Sequence, residues 1–485
     1  MRYISTRGQG ETFSSSQAIV KGISDDGGLF VPQTIPTIRH SLSELAKLDY
    51  VSHAYASASP YLTDFDSDEL RACISAAYSS NNFDTPDIAL LVQFPEVSFL
   101  ELFHGKTLAF KDMALSLLPH LMTRAAAKIG DKRTHVILTA TSGDTGKAAL
   151  EGFKDVDGTI VIVFYPENGV SVLQQRLMTT QEGSNVFTIG VKGNFDDAQS
   201  EVKRIFSDQN LAARLDDNGF ALSSANSINV GRLIPQVAYY FYVYSQFVAA
   251  GMSPGEEISF VVPTGNFGNI LAGYYAKQMG LPVRKLICAS NDNNVLCDFF
   301  RSGAYDINRK FFSTISPSMD ILISSNFERL AFDLLGKSAD ALKDRVMKLS
   351  SERRYILDTP ADGFIGFTAT EAETIDSIRR VYKKYDYVID PHTAVAYSAF
   401  EKYAPQERTV ILSTASPYKF TKTVMSALDP KYAAFDDFEL IARLAELNNE
   451  PIPTQIARIS EKPVLHESVV EINQMKDAVV KAVMN

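Results

Sequence analysis

The stretch LFHGKTLAFKDMALSLLPHLM, Leu102–Met122, decides how this chain is read. It follows a strand-like apolar run and reads as the opening of a helix, with apolar residues recurring at helical spacing. Lys111 then stands at a strand-to-helix junction, where a side chain can reach into a cleft. The ordinary alternative is a solvated lysine in a first helical turn. Against it, a positive charge there opposes the helix dipole, and the neighbours Leu108, Ala109, Phe110 and Met113 are apolar. A partly desolvated lysine has a lowered pKa and is a competent nucleophile. Taken alone, the segment leaves the two readings level.

Outward from this junction, short β-branched runs alternate with helical segments. Strands are expected at His135–Thr141, Thr159–Tyr165, Asn185–Val191, Ile258–Thr264, Lys285–Ser290 and Thr409–Thr414. Helices are expected near Thr145–Lys154, Phe195–Ser207, Gly231–Ala249 and Thr368–Tyr385. Apolar strands alternating with helices predict an α/β fold, a parallel sheet covered on both faces. In such sheets ligands bind beyond the carboxyl ends of the strands. The first ninety or so residues read differently: a turn-rich DDGGLFVP at Asp25–Pro32, an amphipathic SLSELAKL at Ser41–Leu48 and a helical DELRACISAAY at Asp68–Tyr78. The polar SSNNFDTPD, Ser79–Asp87, marks a boundary. The expected division is an N-terminal α+β domain over 1–90 and a catalytic region over 91–485. Within the latter, a smaller α/β subdomain covers roughly 98–228 and a larger one the remainder.

Composition narrows the function. The 485 residues suffice for two to four domains. A net charge of -10 argues against a general polyanion binder, since nucleic acid needs clustered Lys and Arg. The three cysteines, Cys73, Cys288 and Cys297, form no CxxC pair and predict buried thiols in a reducing compartment. The seven histidines show no metal-ligand spacing. The start, MRYISTRGQGETFSSSQ, lacks an apolar core and cleavage pattern, and no apolar run is long enough to span a bilayer. A cytoplasmic protein with no nucleic-acid or membrane partner is expected. Oligomeric state, monomer or homodimer, stays open.

Five further segments carry chemistry. In HVILTATSGDTGKAAL, His135–Leu150, a strand ends in Thr141, Ser142, Gly143, Asp144, Thr145 and Gly146 before a helix. Hydroxyls and backbone N–H groups at a helix N-terminus suit a carboxylate or phosphate; a plain Asp or Thr cap is the alternative. Gly146-Lys147 hints at a nucleotide-binding loop, but Thr141 replaces its first glycine and Ala148 its magnesium-holding hydroxyl. In PTGNFGNI, Pro263–Ile270, Gly265 and Gly268 let the backbone approach a ligand, while Asn266 and Asn269 add donors. In ALSSANSINVGRLIPQ, Ala221–Gln236, Asn226, Ser227 and Asn229 precede a helix whose first turn holds Arg232. An arginine there is electrostatically misplaced unless an anion is near. In TVILSTASPYKF, Thr409–Phe420, a strand ends in Ser413, Thr414 and Ser416, any of which can hydrogen-bond a heterocyclic nitrogen. His392, in DPHTAVAYSAF, stands at a helix start, where capping and catalysis are both open. A Schiff-base-forming amine and a phosphate-cradling turn are what a pyridoxal-phosphate site requires.

Together these segments resemble the threonine synthase family of fold-type-II pyridoxal-phosphate lyases, whose fold is tryptophan synthase β-like. YISTRG with SDDGGLFVP resembles that family's N-terminal domain, and LFHGKTLAFKD, TATSGDTGKAA, NSINVGR, PTGNFGN and DPHTAVA follow in the family's order. The likeness runs from the N-terminus to about Phe420, and the tail beyond carries no motif. It implies that Lys111 is the Schiff-base lysine. Gly265, Asn266, Phe267, Gly268 and Asn269 would cradle the cofactor's 5′-phosphate. Thr414 (or Ser413) would face the pyridine nitrogen, and Asp144 would lie near the ring hydroxyl. Thr141, Ser142 and Thr145 would hold the substrate's carboxylate or phosphate; Asn226, Ser227 and Arg232 would hold its phosphate. The implied reaction converts O-phospho-L-homoserine and water to L-threonine and phosphate, with Lys111 also removing the α-proton. One departure stands out: the family's His-Pro-Ala-Lys-Phe run reads Ser416-Pro417-Tyr418-Lys419-Phe420 here. Within the same fold a dehydratase or β-replacement enzyme would need no second phosphate site. A non-catalytic cofactor-binding relative is the alternative from another class.

Overall fold

Two parallel sheets carry the junctions singled out above, and the computed structural model describes residues 1–141, 143–359, 361–449 and 451–484. The larger sheet orders its strands Phe364–Thr368, Val283–Ser290, Ile258–Pro263, Thr409–Ser413, Ser98–Glu101 and Leu90–Gln93; only the last pairs antiparallel. The smaller sheet runs Val469–Glu471, Val186–Lys192, Thr159–Pro166, Thr134–Ala140 and Phe220–Ser223, all parallel. Central strands such as Ile258–Pro263 and Thr409–Ser413 are buried at every position. Helices on both faces leave no wet side, which is why these strands are continuous apolar runs rather than alternating ones.

Each expected strand forms within two residues of its predicted ends. The strands that escaped the reading include Phe220–Ser223, Phe364–Thr368 and Val469–Glu471. Thr368 was expected to begin a helix; it ends a strand, and Thr370 caps the helix Glu371–Tyr385 by accepting from the Glu373 amide. Two single helices are corrected to broken ones, each at a proline. The one after Lys111 is a short helix Asp112–Leu115 followed by Leu118–Ile129, because Pro119 has no N–H to return to the preceding turn. The segment expected as one helix over Gly231–Ala249 is Val230–Leu233, a 3-10 turn Ile234–Gln236 containing Pro235, and Val237–Ala249.

The expected subdomain limits also shift. Strand Ser98–Glu101, at the head of the expected smaller unit, pairs in the larger sheet with Thr409–Ser413. The motif-free tail returns to the smaller sheet, as edge strand Val469–Glu471 and helix Met475–Met484. Met475, Val479 and Val483 of that helix pack with Ile162, Phe164 and Val191. The N-terminal segment pairs Tyr3–Ser5 antiparallel to Phe30–Pro32 and adds helices that include Ser15–Lys21 and Ser67–Ala77. It is sewn to the rest by polar contacts: Ser223 Oγ donates to the Val20 carbonyl at 3.0 Å and Asn229 Nδ2 to that of Ile19 at 2.9 Å.

Candidate active site

Lys111 is aimed by the end of a neighbouring strand. Beyond Ser98–Glu101 the chain runs alongside the end of Thr409–Ser413. The Leu102 amide donates to the Ser413 carbonyl at 3.0 Å, Phe110 to Thr414 at 2.8 Å, and Ser416 back to Leu108 at 3.0 Å. Asp112 locks the loop from inside: it accepts from the Thr107 amide at 2.7 Å and the Thr107 hydroxyl at 2.6 Å. Burial pushes its carboxyl up to about 6 despite those donors.

The Lys111 amine is 3.1 Å from Asp144 Oδ2 and 3.4 Å from Ser318 Oγ, on a side chain only 11% exposed. Burial lowers its pKa, with Asp144 opposing. Asp144 is itself held from several sides. Lys419 Nζ lies 2.5 Å from Oδ1, Gln174 Nε2 donates to Oδ1 at 3.3 Å, and Ser318 Oγ donates to Oδ2 at 3.1 Å. Burial would raise this carboxyl, but Lys111 and Lys419 together outweigh it and hold it well below the usual carboxylate range. His392 Nε2 accepts from the Ser318 amide at 3.1 Å, and Nδ1 lies 2.6 Å from Asp390 Oδ2. Accepting an N–H fixes the neutral tautomer with the proton on Nδ1. The cap of the helix Pro391–Tyr403 is Asp390, not His392.

The glycine turn closes over the same segment. A Cβ on Gly265 would stand 2.5 Å from the Ser318 carbonyl oxygen, so no larger residue fits without displacement. Phe267 caps the helix Gly268–Gln278 at a φ of 66°, a left-handed conformation uncommon for an aromatic residue. Its buried ring packs against Phe300, Phe327 and Phe364, which holds it there. The helix's first-turn N–H groups lack intrahelical partners. Asn269 Oδ1 accepts from Tyr239 and Tyr240, at 2.7 and 3.0 Å, while its Nδ2 is buried and unpartnered among the described residues.

The segment at 226–232 lies beside that turn: a Cβ on Gly268 would be 3.6 Å from Ser227 Cβ. Ser227 Oγ accepts from Asn326 Nδ2 at 2.9 Å, and Asn226 Oδ1 accepts from Thr139 Oγ1 at 2.7 Å. Arg232 is buried; Nη1 donates to the Ala225 carbonyl at 2.7 Å, and Nε has no partner among the described residues. Burial alone lowers its guanidinium to about 10. A buried cation with an orphaned donor calls for an anionic guest. Thr414 is buried with no side-chain partner in the described chain, whereas Ser413 Oγ is engaged with Thr393 Oγ1 at 3.0 Å. The Thr141 hydroxyl accepts from the Gly143 and Gly146 amides at 3.0 and 2.9 Å, so it shapes the loop; Thr145 is half-buried on the helix Asp144–Gly152. Ser142 lies outside the described residues.

Sequence reasoning missed Lys419, Ser318, Asn326, Gln174 and Arg329. SPYKF contained Lys419, but nothing in its spacing ties it to a residue 275 positions upstream. Arg329, fully buried, donates through Nε to the Phe30 carbonyl at 3.0 Å, through Nη2 to that of Ile228 at 2.5 Å, and through Nη1 to Asn326. No group of His, Cys, Asp and Glu among the described residues could hold a metal.

The donor set therefore fits pyridoxal phosphate: a buried amine beside a carboxylate, a glycine-gated helix start with an unpartnered amide, and a free hydroxyl at a strand end. With two parallel α/β sheets, it defines a pyridoxal-phosphate-dependent enzyme of fold type II, and the family model described as pyridoxal-phosphate dependent enzyme matches residues 93–415. Models of the threonine synthase N terminus and of the threonine synthase C-terminal region match residues 2–78 and 393–482. Threonine synthase of Pseudomonas aeruginosa is 38% identical over 88% of this chain and 90% of its own length; that of Saccharomyces cerevisiae is 36% identical over 88% and 89%. The crystal structure of pyridoxal-phosphate-bound threonine synthase from Brucella melitensis superposes over 100% of both chains with a TM-score of 0.87 at 35% identity. The yeast enzyme's structure gives the same TM-score at 33% identity, covering 100% of this chain and 99% of that one. The chain belongs to the threonine synthase family.

Proposed function

We propose that this chain converts O-phospho-L-homoserine and water to L-threonine and inorganic phosphate, with pyridoxal phosphate carried on Lys111. The observation that carries the reading is the adjacency of two anion cradles, Gly265–Asn269 and Asn226–Arg232, next to a buried lysine. The reaction has two phosphate groups to seat, one on the cofactor and one on the substrate.

The residues divide the work accordingly. The backbone of Gly265, Asn266, Phe267, Gly268 and Asn269 holds the cofactor's phosphate at a helix N-terminus. Thr414 offers a hydroxyl, not a charge, to the ring nitrogen, while Ser413 is committed to Thr393. Asn226, Ser227 and Arg232 bind the substrate phosphate. Thr145 serves the substrate's carboxylate or phosphate, in a loop shaped by Thr141; Ser142 is assigned with them from sequence alone. When bound, pyridoxal phosphate supplies the electron sink that acidifies protons next to the substrate's amine-bearing carbon. Lys111 Nζ, its proton affinity lowered by burial, takes the α-proton and Asp144 keeps it oriented. The neutral His392 holds the Ser318 amide, and through it the segment bordering Lys111.

The three free, buried cysteines support a reducing, cytoplasmic address. We likewise take residues 1–90 as an N-terminal unit and 91–485 as the catalytic region. The test is an absorbance scan with kinetics. The purified holoenzyme is expected to be yellow and to release phosphate from O-phospho-L-homoserine, and Lys111→Ala is expected to lose both. A variant that keeps the band would contradict the assignment of Lys111.

A further inference from the structure

Asp144 carries two cations, and the reading above uses one of them. The second, Lys419, is 2% exposed and has two acceptors: Asp144 Oδ1 at 2.5 Å and the Thr107 carbonyl at 2.9 Å. It is delivered by the 3-10 turn Pro417–Phe420, whose start is capped by the Ser416 hydroxyl accepting from the Tyr418 amide at 3.4 Å. Three separate pieces of chain thus converge on one buried ammonium. Withdrawing an ammonium from water costs several kcal/mol, which only a persistent anion offsets.

Lys111 meets one carboxylate directly, that of Asp144. Lys111 is faced by Asp144 as anion, by Lys419 and Arg232 as cations, and by Ser318, behind which stand the His392 imidazole and the Asp390 carboxylate. Asp112, on the same loop, sits near Lys419 with its carboxyl pushed up by burial to about 6. Lys111 and Lys419 therefore share a single carboxylate, one on each oxygen. Once Lys111 spends its amine on a covalent bond to an anionic group, Lys419 is the fixed cation that remains on Asp144.

We propose that Lys419 is a positioning residue that acts through Asp144: it keeps the carboxylate ionised and turned toward Lys111 Nζ, and its fixed charge favours the unprotonated form of the Lys111 nitrogen. Removing the ammonium lets Asp144 serve Lys111 alone and deletes a like charge, and both effects favour the protonated nitrogen. The inference rests on Lys111 carrying the cofactor.

The experiment titrates the visible band of the lysine-bound cofactor against pH in holoenzyme of wild type, Lys419→Met, Lys419→Gln and Lys419→Arg. The glutamine variant keeps a donor for the Thr107 carbonyl without the charge. The midpoint is expected to rise by about one unit or more in both neutral variants, the size of effect a neighbouring charge produces, and to stay with wild type in Lys419→Arg. Neutral variants that titrate like wild type would overturn the proposal. Cofactor lost from both neutral variants but kept by Lys419→Arg would uphold it. Loss from all three would overturn it, because shape rather than charge would then be what matters. A wild-type protein without any such band would instead sink the reading beneath it.

Discussion

Arg232 meets the site with Nη1 committed to the Ala225 carbonyl and Nε buried without a partner among the described residues. If a substrate phosphate completes it, Arg232→Ala should raise KM for O-phospho-L-homoserine about 10- to 100-fold, the worth of a hydrogen bond to a charged group (about 1.5–3 kcal/mol). Initial-rate kinetics check this, and an unchanged KM would remove Arg232 from the substrate site. Gly265 is as exacting for a steric reason. A methyl there would press the Ser318 carbonyl at 2.5 Å and Met319 Cα at 3.2 Å. Gly265→Ala should weaken cofactor retention and cost about 1–3 kcal/mol of stability, as overpacking does, measured by cofactor loss on dialysis and by urea unfolding. Both residues were legible from sequence, one as a misplaced charge and the other as a glycine before a helix. Lys419 was not, since an ion pair closed by tertiary folding leaves no trace in spacing.

The loop between strand Ser98–Glu101 and the helix after Lys111 is anchored by His104, which bridges Glu101 Oε2 at 2.7 Å and Asp84 Oδ1 at 2.8 Å. Burial lowers this imidazole's proton affinity, but Asp84 and Glu101 outweigh it and raise the pKa to about 9. A folded-state value above the unfolded one stabilises fully below about pH 6.5. That contribution is lost as pH rises through about 9. The loss should be on the order of 2–3 kcal/mol, and His104→Gln should show a flatter stability profile across the same window in urea unfolding. Equal slopes in the two proteins would deny the bridge. Elements with strong period, such as Thr159–Pro166 and Phe195–Ser207, were readable because burial on one or both faces writes itself into the sequence. The broken helices were misread because Pro119 and Pro235 sit in otherwise helical apolar patterns. Short edge strands such as Val469–Glu471 went unseen because three residues carry too little pattern.

Across the whole molecule, Arg329 ties the N-terminal segment to both anion cradles, through Phe30, Ile228 and Asn326. Asn326 in turn donates to Ser227 Oγ and to the Asn266 carbonyl, each at 2.9 Å. From the N-terminal segment, Arg7 pairs with Glu328, the neighbouring residue, at 2.5 Å. Arg329→Met should therefore cost about 1–3 kcal/mol, the penalty of leaving buried acceptors unpaired, and should raise KM as well as lower the unfolding midpoint. A stability loss with unchanged KM would confine Arg329 to the core. Sequence placed YISTRG in an N-terminal unit but could not show that it reaches the catalytic region, because such contacts join residues 299 and 321 positions apart. The central claim, two phosphate cradles serving one lysine-held cofactor, is tested most directly by identifying products from O-phospho-L-homoserine. The account predicts L-threonine and inorganic phosphate in equal amounts. A keto acid in place of threonine, or threonine synthesis without phosphate release, would contradict it.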